Sequence, residues 1–319
     1  MNSSELANQK ILLTGGAGFL GRSVYKKLIE HGAKSENIFI PRSQNMDLRQ
    51  RAHCEEAVRG KDIVIHLAAK VGGLWFHVGR QAEFFYDNAI MGLNLVDASY
   101  QAGVKKFVGL GSVCEYPDNA PIPFVESDLW NGFPSKITSP YGLSKRMMLA
   151  ATQAYQAQYN WNAIHLLMIN LYGPGDDFDP RSSHAIPALI RRVYEAQRDG
   201  IDYINVWGDG SASREFLYVD DAAEGIVLAA QNYNKPEPVN LGAGREIPIK
   251  YLAETICEMM KFKGEIRWDV SKVGGQLRRQ LDVSLAEKEF SFKAQTAFEQ
   301  GLKNTIDWFL QMIETGQLK

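Results

Sequence analysis

The feature that most constrains this chain is a glycine-rich turn at residues 10–21, KILLTGGAGFLG. A short apolar run precedes the turn, and apolar residues recur at helical spacing after it, which predicts a strand, a turn and a helix. In that context Gly16, Gly18 and Gly21 form a G-x-G-x-x-G pattern, whose backbone amides and helix N-terminus can bind a pyrophosphate. A tight strand-to-helix turn with no ligand is the alternative.

Apolar runs and helical patterns alternate beyond the turn. Residues 62–69 and 163–169 are continuous apolar runs, as expected for strands that are covered on both faces. Residues 48–58, 82–101 and 141–159 are expected to form helices. Because parallel strands need crossover connections, this alternation predicts an α/β fold with a Rossmann-type, doubly wound parallel sheet.

The character of the sequence changes near residue 173, where a Gly-Pro-Gly loop is followed by shorter elements. We therefore expect a nucleotide-binding Rossmann domain over residues 1–173. A smaller C-terminal α/β lobe over residues 174–319 is expected to bind the substrate.

Composition and charge exclude several classes of function. The 319 residues carry 35 Lys and Arg against 37 Asp and Glu, a net charge of −2, so no basic field indicates nucleic acid or a membrane surface as a partner. The N-terminus is polar, and no apolar run is long enough to span a bilayer. The three cysteines are widely spaced and no Cys/His cluster has zinc-like spacing, which predicts a reducing, cytoplasmic setting without disulfides or a metal site.

Tyr141 and Lys145 stand four residues apart on a predicted helix, so they share one face. A nearby ammonium favours the phenolate and brings the tyrosine hydroxyl closer to the range where it can exchange a proton. Ser112 ends the preceding predicted strand and can hydrogen-bond the same substrate oxygen. A lone Y-x-x-x-K is common by chance, but the order glycine turn, strand-end serine, then Tyr/Lys helix indicates a reductase.

The sequence motifs alone do not decide whether Cys114 and His184 have a catalytic role. Cys114 lies two residues past Ser112, where a thiol can act as an acid or a base, although a free cysteine is more often a small buried hydrophobe. His184 precedes a predicted helix of the second lobe, a place where histidine is commonly an exposed polar residue. His66, inside a predicted strand, is expected to be a packed core residue.

The choice of cofactor depends on the end of the second predicted strand. NAD-specific domains carry an acidic residue there, about 20 residues past the glycines, to bind the ribose hydroxyls. Here Arg42 follows that strand and no carboxylate does, so a 2′-phosphate could pair with the guanidinium. This favours NADP over NAD, unless Arg42 is only a solvated surface cation.

These motifs resemble those of the extended short-chain dehydrogenases/reductases, whose nucleotide turn has the T-G-x-x-G-x-x-G spacing found from Thr14 to Gly21. Within that family the chain is similar to the GDP-L-fucose synthases, which are GDP-4-keto-6-deoxymannose 3,5-epimerase/4-reductases. The similarity extends from the glycine turn to about residue 309. The stretches that carry it are 69–73 (AKVGG), 110–117 (LGSVCEYP), 170–178 (NLYGPGDDF), 183–192 (SHAIPALIRR), 206–208 (VWG) and 214–221 (REFLYVDD).

The resemblance implies an NADP-dependent enzyme that converts GDP-4-keto-6-deoxymannose to GDP-L-fucose and forms a homodimer through the helices near 82–101 and 141–159. It also implies that residues 216–245 return to the nucleotide-binding domain. By position, it implies a reductase centre of Ser112, Tyr141 and Lys145, and an epimerisation pair of Cys114 and His184. The implied GDP-sugar contacts are Arg192, Trp207 and Arg214, and the implied cofactor contacts are Gly15, Gly18, Phe19, Leu20, Gly21, Arg42, Ala68, Tyr141, Lys145, Asn170, Leu171 and His184.

The chain departs from the family pattern at Val113, at Glu115 and in the loop 133–140. Two other functions therefore stay open. One is a different NAD(P)-dependent nucleotide-sugar 4-ketoreductase or epimerase of the same family. The other is a non-enzymatic NADP-binding regulator, against which the intact Ser112, Tyr141 and Lys145 set argues.

Overall fold

The computed structural model describes residues 6–73, 76, 78–271 and 276–318. Its centre is a six-stranded parallel sheet with the strand order β2-β1-β3-β4-β5-β9. Two smaller sheets, β10-β8-β6 and β11-β7, lie in the second half of the chain. The strands are β1 Ile11–Thr14, β2 Ile38–Phe39, β3 Ile63–His66, β4 Lys106–Leu110, β5 Ala163–Met168, β6 Asn170–Tyr172, β7 Tyr203–Trp207, β8 Ser213–Tyr218, β9 Val239–Leu241, β10 Glu246–Pro248 and β11 Glu265–Asp269.

Helices cover both faces of the six-stranded sheet. The helices of the described residues are α1 Phe19–Glu30, α2 Arg51–Val58, α3 Gln81–Gln101, α4 Ser139–Tyr159, α5 Ala185–Asp199, α6 Val219–Asn232, α7 Ile249–Met259, α8 Ser284–Phe290 and α9 Phe298–Glu314. Helices α1 and α6 pack together on one face, where Ser23 donates to Asp220 (2.8 Å). Helices α2, α3 and α4 pack on the other face.

The alternation of side chains along each strand explains why the apolar runs of the sequence are continuous. On β1, Ile11 and Leu13 join the core under α1 and α6, whereas Leu12 joins the core under α2, α3 and α4. Every residue of β1 and β3 is buried as a result. The predicted Rossmann-type fold is confirmed.

A separate core lies between the two smaller sheets and α5, α7 and α9. Strand β8 pairs with β6 in parallel and with β10 in antiparallel orientation, so this mixed sheet differs from the central one. The strand β9 lies next to β5 in the central sheet. The sequence analysis predicted shorter elements here but not their pairing.

For two predicted elements, the start of a helix and the end of a strand were wrong. The helix expected to start at Leu48 starts at Arg51, because Gln50 has the extended backbone of a helix N-cap. The strand expected to continue to Ala69 ends at His66, after which the backbone turns toward Gly15. No helix of the described residues is long and apolar enough to cross a membrane. The first five residues of the polar N-terminus lie outside the described part of the chain.

Candidate active site

The glycine turn joins β1 to α1 by a very close backbone approach. Gly15 has a φ of +70°, and its carbonyl accepts from the Gly18 amide at 2.9 Å. A Cβ on Gly21 would overlap the Gly15 carbonyl and the Gly16 backbone, so the first turn of α1 can lie against the loop only if residue 21 is glycine. The N-cap residue, Gly18, makes no side-chain cap to the amides of the first turn of α1, an arrangement that fits a pyrophosphate.

The other residues expected near the cofactor are distributed around this turn. Ala68 lies against Gly15, and its amide is 3.3 Å from the hydroxyl of Thr14. Arg42 is exposed in the loop after β2. Asn170 begins β6 and donates to the carbonyl of Glu215 at 3.0 Å, and Leu171 follows it, half-buried.

The end of β4 leads directly into a short 3₁₀ turn, Val113–Glu115, that holds Ser112 and Cys114. The Ser112 hydroxyl accepts from the Cys114 amide at 3.2 Å, while the Glu115 carboxylate accepts from the Ser112 amide at 2.7 Å. This reciprocal arrangement is a capping box, in which the side chains of Ser112 and Glu115 each accept from a backbone amide of the same turn. The turn therefore has a fixed conformation although it lies outside regular secondary structure.

Tyr141 and Lys145 face the same turn from the first turns of α4. The side chains of Ser112 and Tyr141 are hydrogen-bonded. The ammonium of Lys145 lies 5.8 Å from the centre of the Tyr141 ring and donates to the Leu110 carbonyl at 2.8 Å. The predicted Ser, Tyr and Lys residues are thus brought together.

Burial affects the two titratable groups of this centre in opposite directions. It lowers the pKa of Lys145 to about 8, and the charge of Glu115 opposes that change. Burial raises the pKa of Tyr141 well above its usual range; the charges of Cys114 and Glu115 add to the increase, and the hydrogen bond from Ser112 opposes it. Tyr141 is therefore a protonated phenol at neutral pH, and the lowering of its pKa that was expected from Lys145 is wrong because burial dominates.

Cys114 is half-buried, and the guanidinium of Arg279 is 3.7 Å from its sulfur. Arg279 comes from a distant part of the sequence, so the thiol lies where two segments meet. His184 is the N-cap of α5, and it is half-buried. Burial lowers the pKa of its imidazole, while Asp177 opposes that effect. All three cysteines are free, and Cys54 and Cys257 are buried.

The residues expected to bind the GDP-sugar lie in the second region, the part of the structure formed by the two smaller sheets with α5, α7 and α9. The Arg192 guanidinium lies over the Trp207 ring, 5.1 Å from its centre, and donates to the Asn205 carbonyl at 3.1 Å. These three residues line a cavity of about 590 Å³ between α5 and the β7-β11 sheet. Arg214 on β8 donates to the carbonyls of Ser213 and Leu277. Burial and the neighbouring Arg279 lower the pKa of Arg214 to about 10.

The structure adds site residues that the sequence analysis missed. Glu115 was noted only as a departure from the pattern, and His165 and Arg146 were not singled out at all. The signal for Glu115 was the S-x-x-E spacing that begins at Ser112, which is the signature of a capping box. As expected, His66 is a buried core residue, 2.8 Å from the Thr14 hydroxyl. No group of three or more metal-ligating side chains occurs among the described residues.

A dinucleotide turn beside β1, followed by a Ser/Tyr/Lys centre at the end of β4, defines the class of short-chain dehydrogenases/reductases. Residues 11–242 match the NAD dependent epimerase/dehydratase family. The chain is 36% identical over 306 residues to GDP-L-fucose synthase 1 of Arabidopsis thaliana, covering 95% of this chain and 94% of that one. It is 34% identical to the GDP-L-fucose synthase of Escherichia coli, covering 96% and 98%.

A solved structure gives the same result. The GDP-L-fucose synthetase of Naegleria fowleri bound to NADP is 30% identical, with a TM-score of 0.85 and coverage of 97% of this chain and 96% of that one. The chain belongs to the NAD dependent epimerase/dehydratase family and, within it, to the GDP-L-fucose synthases.

Proposed function

We propose that this protein is an NADP-dependent epimerase-reductase that converts GDP-4-keto-6-deoxymannose to GDP-L-fucose. The observation that carries the proposal is the position of the Cys114 thiol. It lies in the same capped turn as Ser112, close to Tyr141 and 3.7 Å from the guanidinium of Arg279. A simple 4-ketoreductase needs the serine and the tyrosine but has no use for a thiol beside them.

Epimerisation comes first in this proposal. The C3 and C5 hydrogens flank the C4 ketone, so their removal gives an enolate whose negative charge rests on the C4 oxygen. Cys114 removes the proton, and His184 returns one to the opposite face. The hydroxyls of Ser112 and Tyr141 donate hydrogen bonds to the enolate oxygen, and Arg279 adds a positive charge close to the same turn.

Reduction then completes the product. NADPH, when bound at the glycine turn, supplies the hydride for C4. Tyr141 donates its phenolic proton to the C4 oxygen, and Lys145 holds a positive charge beside the ring as that proton leaves. The exposed Arg42 binds the 2′-phosphate that distinguishes NADPH from NADH.

The second region binds the nucleotide part of the substrate. Arg214 and Arg192 pair with the diphosphate, since a guanidinium matches phosphate oxygens in a bidentate way. Trp207 is 39% exposed and lines the cavity, and its ring stacks against a ring of the GDP moiety.

The test is incubation of the protein with NADPH and GDP-4-keto-6-deoxymannose, followed by NMR of the product. We expect GDP-L-fucose and a lower KM for NADPH than for NADH, a preference that Arg42→Ala weakens. A product reduced at C4 but not inverted at C3 and C5 would favour the alternative 4-ketoreductase. Oxidised cofactor that stays bound and is recycled would favour a 4-epimerase, and no turnover of any GDP-ketosugar would favour a regulator.

We also propose a cytoplasmic homodimer. Helices α3 and α4 pack side by side and carry large exposed apolar side chains: Phe85, Tyr86, Met147 and Tyr159. An interface over both helices would bury them. Sedimentation of the parent protein should give the mass of a dimer, and Tyr86→Lys should shift that mass toward the monomer. A monomeric parent protein would contradict the proposed dimer.

A further inference from the structure

The carboxylate of Glu115 lies fully buried behind the catalytic turn, and the chemistry proposed above does not use it. One of its oxygens accepts from the Ser112 amide at 2.7 Å. The Nε2 of His165, on β5, is 3.1 and 3.2 Å from the two carboxylate oxygens. Both side chains of this pair are 0% exposed. A buried carboxylate is costly, so its position needs an explanation.

The surrounding backbone is shaped to admit this pair. A Cβ on Gly111 would overlap both the imidazole of His165 and the carboxylate of Glu115, so only glycine fits there. The carbonyl of Glu115 accepts from Arg146 Nε at 2.6 Å, and a Cβ on Gly142 would overlap the Cys114 carbonyl. The capped turn and α4 are therefore joined into one rigid unit.

The charged and titratable groups around Glu115 come from every element packed against it. His165 faces it from β5, and Cys114 belongs to its own turn. The charge of Glu115 also acts on three side chains of α4: Tyr141, Lys145 and Arg146. Beyond these, His66 on β3 feels the charge of Lys145, and Arg279 contacts Cys114. Glu115 thus supplies a negative charge beside two buried cations, Lys145 and Arg146.

We propose that Glu115, oriented by His165, is a positioning residue of the active site. It fixes Ser112 and Cys114 in one turn through the capping box, and its charge balances the buried ammonium of Lys145. One carboxylate thereby supports both halves of the reaction, because Ser112 and Lys145 serve the reduction and Cys114 serves the epimerisation. This inference rests on the proposed function.

Two variants of Glu115 separate geometry from charge. Glu115→Gln keeps the shape and an acceptor for the Ser112 amide but removes the charge. Loss of the charge lowers the pKa of Lys145 further below about 8 and also lowers the pKa of Tyr141, because Glu115 raises both. We therefore expect the high-pH limb of kcat for ketosugar reduction to move down by about one pH unit. Glu115→Asp keeps the charge but shortens the reach, so kcat should fall while the limb stays in place.

Glu126→Gln is the matched control. The Glu126 side chain is half-buried, and its carboxylate also accepts from a backbone amide, that of Asn240, at 2.9 Å. Its charge acts on Tyr116, a residue outside the proposed chemistry. The pH profile of Glu126→Gln should match that of the parent protein. An unmoved limb in Glu115→Gln, with the parent protein active, would overturn this inference alone, whereas a parent protein that reduces no GDP-ketosugar would overturn the proposed function as well.

If Glu115→Gln does not fold, a second pair of variants tests the contact between His165 and Glu115. His165→Gln keeps an N–H donor to Glu115, and His165→Leu removes it. We expect His165→Gln to retain most of the solvent-deuterium exchange at C3 and C5, and His165→Leu to lose at least tenfold. Equal exchange rates in the two variants would overturn the proposed orienting contact.

Discussion

At the scale of single residues, we expect the proposed reduction to depend on the hydroxyl of Tyr141. Tyr141→Phe removes the proton donor but leaves the glycine turn and Lys145 in place. We expect hydride transfer to fall by about 10²-fold or more, as for loss of a general acid, while NADPH binding changes little. Stopped-flow absorbance for transfer and fluorescence titration for binding measure the two effects. Turnover near the parent rate would remove Tyr141 from the mechanism.

We expect the proposed epimerisation to depend on Cys114 and His184. A serine hydroxyl is far less acidic than a thiol, so Cys114→Ser should nearly stop exchange of the C3 and C5 hydrogens with D₂O when oxidised cofactor is bound. His184→Asn should leave some exchange but little inverted product, because it removes the acid rather than the base. Mass spectrometry and product stereochemistry report these outcomes. Parental exchange in Cys114→Ser would make Cys114 a packed thiol and the protein a plain 4-ketoreductase.

At the scale of elements, the junction of β1 and α1 has little tolerance for added atoms. A Cβ on Gly21 overlaps backbone atoms of Gly15 and Gly16, which cannot rotate away as a side chain could. Gly21→Ala should therefore displace the N-terminus of α1 and weaken NADPH binding by at least tenfold, measured by fluorescence titration.

The control for that variant is Gly92→Ala on α3, where the three atoms nearest to the added Cβ all belong to the side chain of Met148, at 3.3 to 3.4 Å. Alanine is favoured over glycine within a helix by about 0.5–1 kcal/mol, which can offset the tight contact. This variant should bind NADPH as the parent protein does. Equal binding by both variants would show that α1 can shift without loss of the site.

Elements also show what a sequence can and cannot predict. The strands 62–69 and 163–169 and the long helices were predictable because each carries a local apolar pattern. The pairing of β8 with β6 and β10 was not, because it joins segments that are distant in sequence and short. The same limit explains Arg279 and His165, which reach the site only through tertiary contacts. Glu115 had a local signal in its spacing to Ser112, and that signal was missed.

At the scale of the whole molecule, Lys106 links stability to pH. Its side chain is fully buried on β4 and donates to the Tyr233 carbonyl and to Asn234 Oδ1. Burial lowers its pKa to about 7, whereas an unfolded lysine titrates near 10.4. Between these values the unfolded chain binds more protons, so the free energy of unfolding rises with pH by at most about 1.4 kcal/mol per unit from this group.

Lys106→Met removes that contribution. Between pH 7 and pH 9, the melting temperature of the variant should therefore rise less than that of the parent protein. Lys145 behaves similarly in both proteins, and the difference between the two curves isolates Lys106. Thermal unfolding followed by circular dichroism measures it. Parallel curves would indicate that Lys106 stays protonated through its two acceptors.

Between β5 and β10 the chain passes three times between the central sheet and the small mixed sheet: from β5 to β6, from β8 back to β9, and from β9 out to β10. A single cut by a protease in a loop between β6 and β9 would therefore leave both pieces anchored in the central sheet, one through β1 to β5 and the other through β9. The nicked protein should run as one species on a sizing column and as two bands only after denaturation. For a protein engineer, the loops of this region are sites where the chain could be opened and new ends placed without releasing either part.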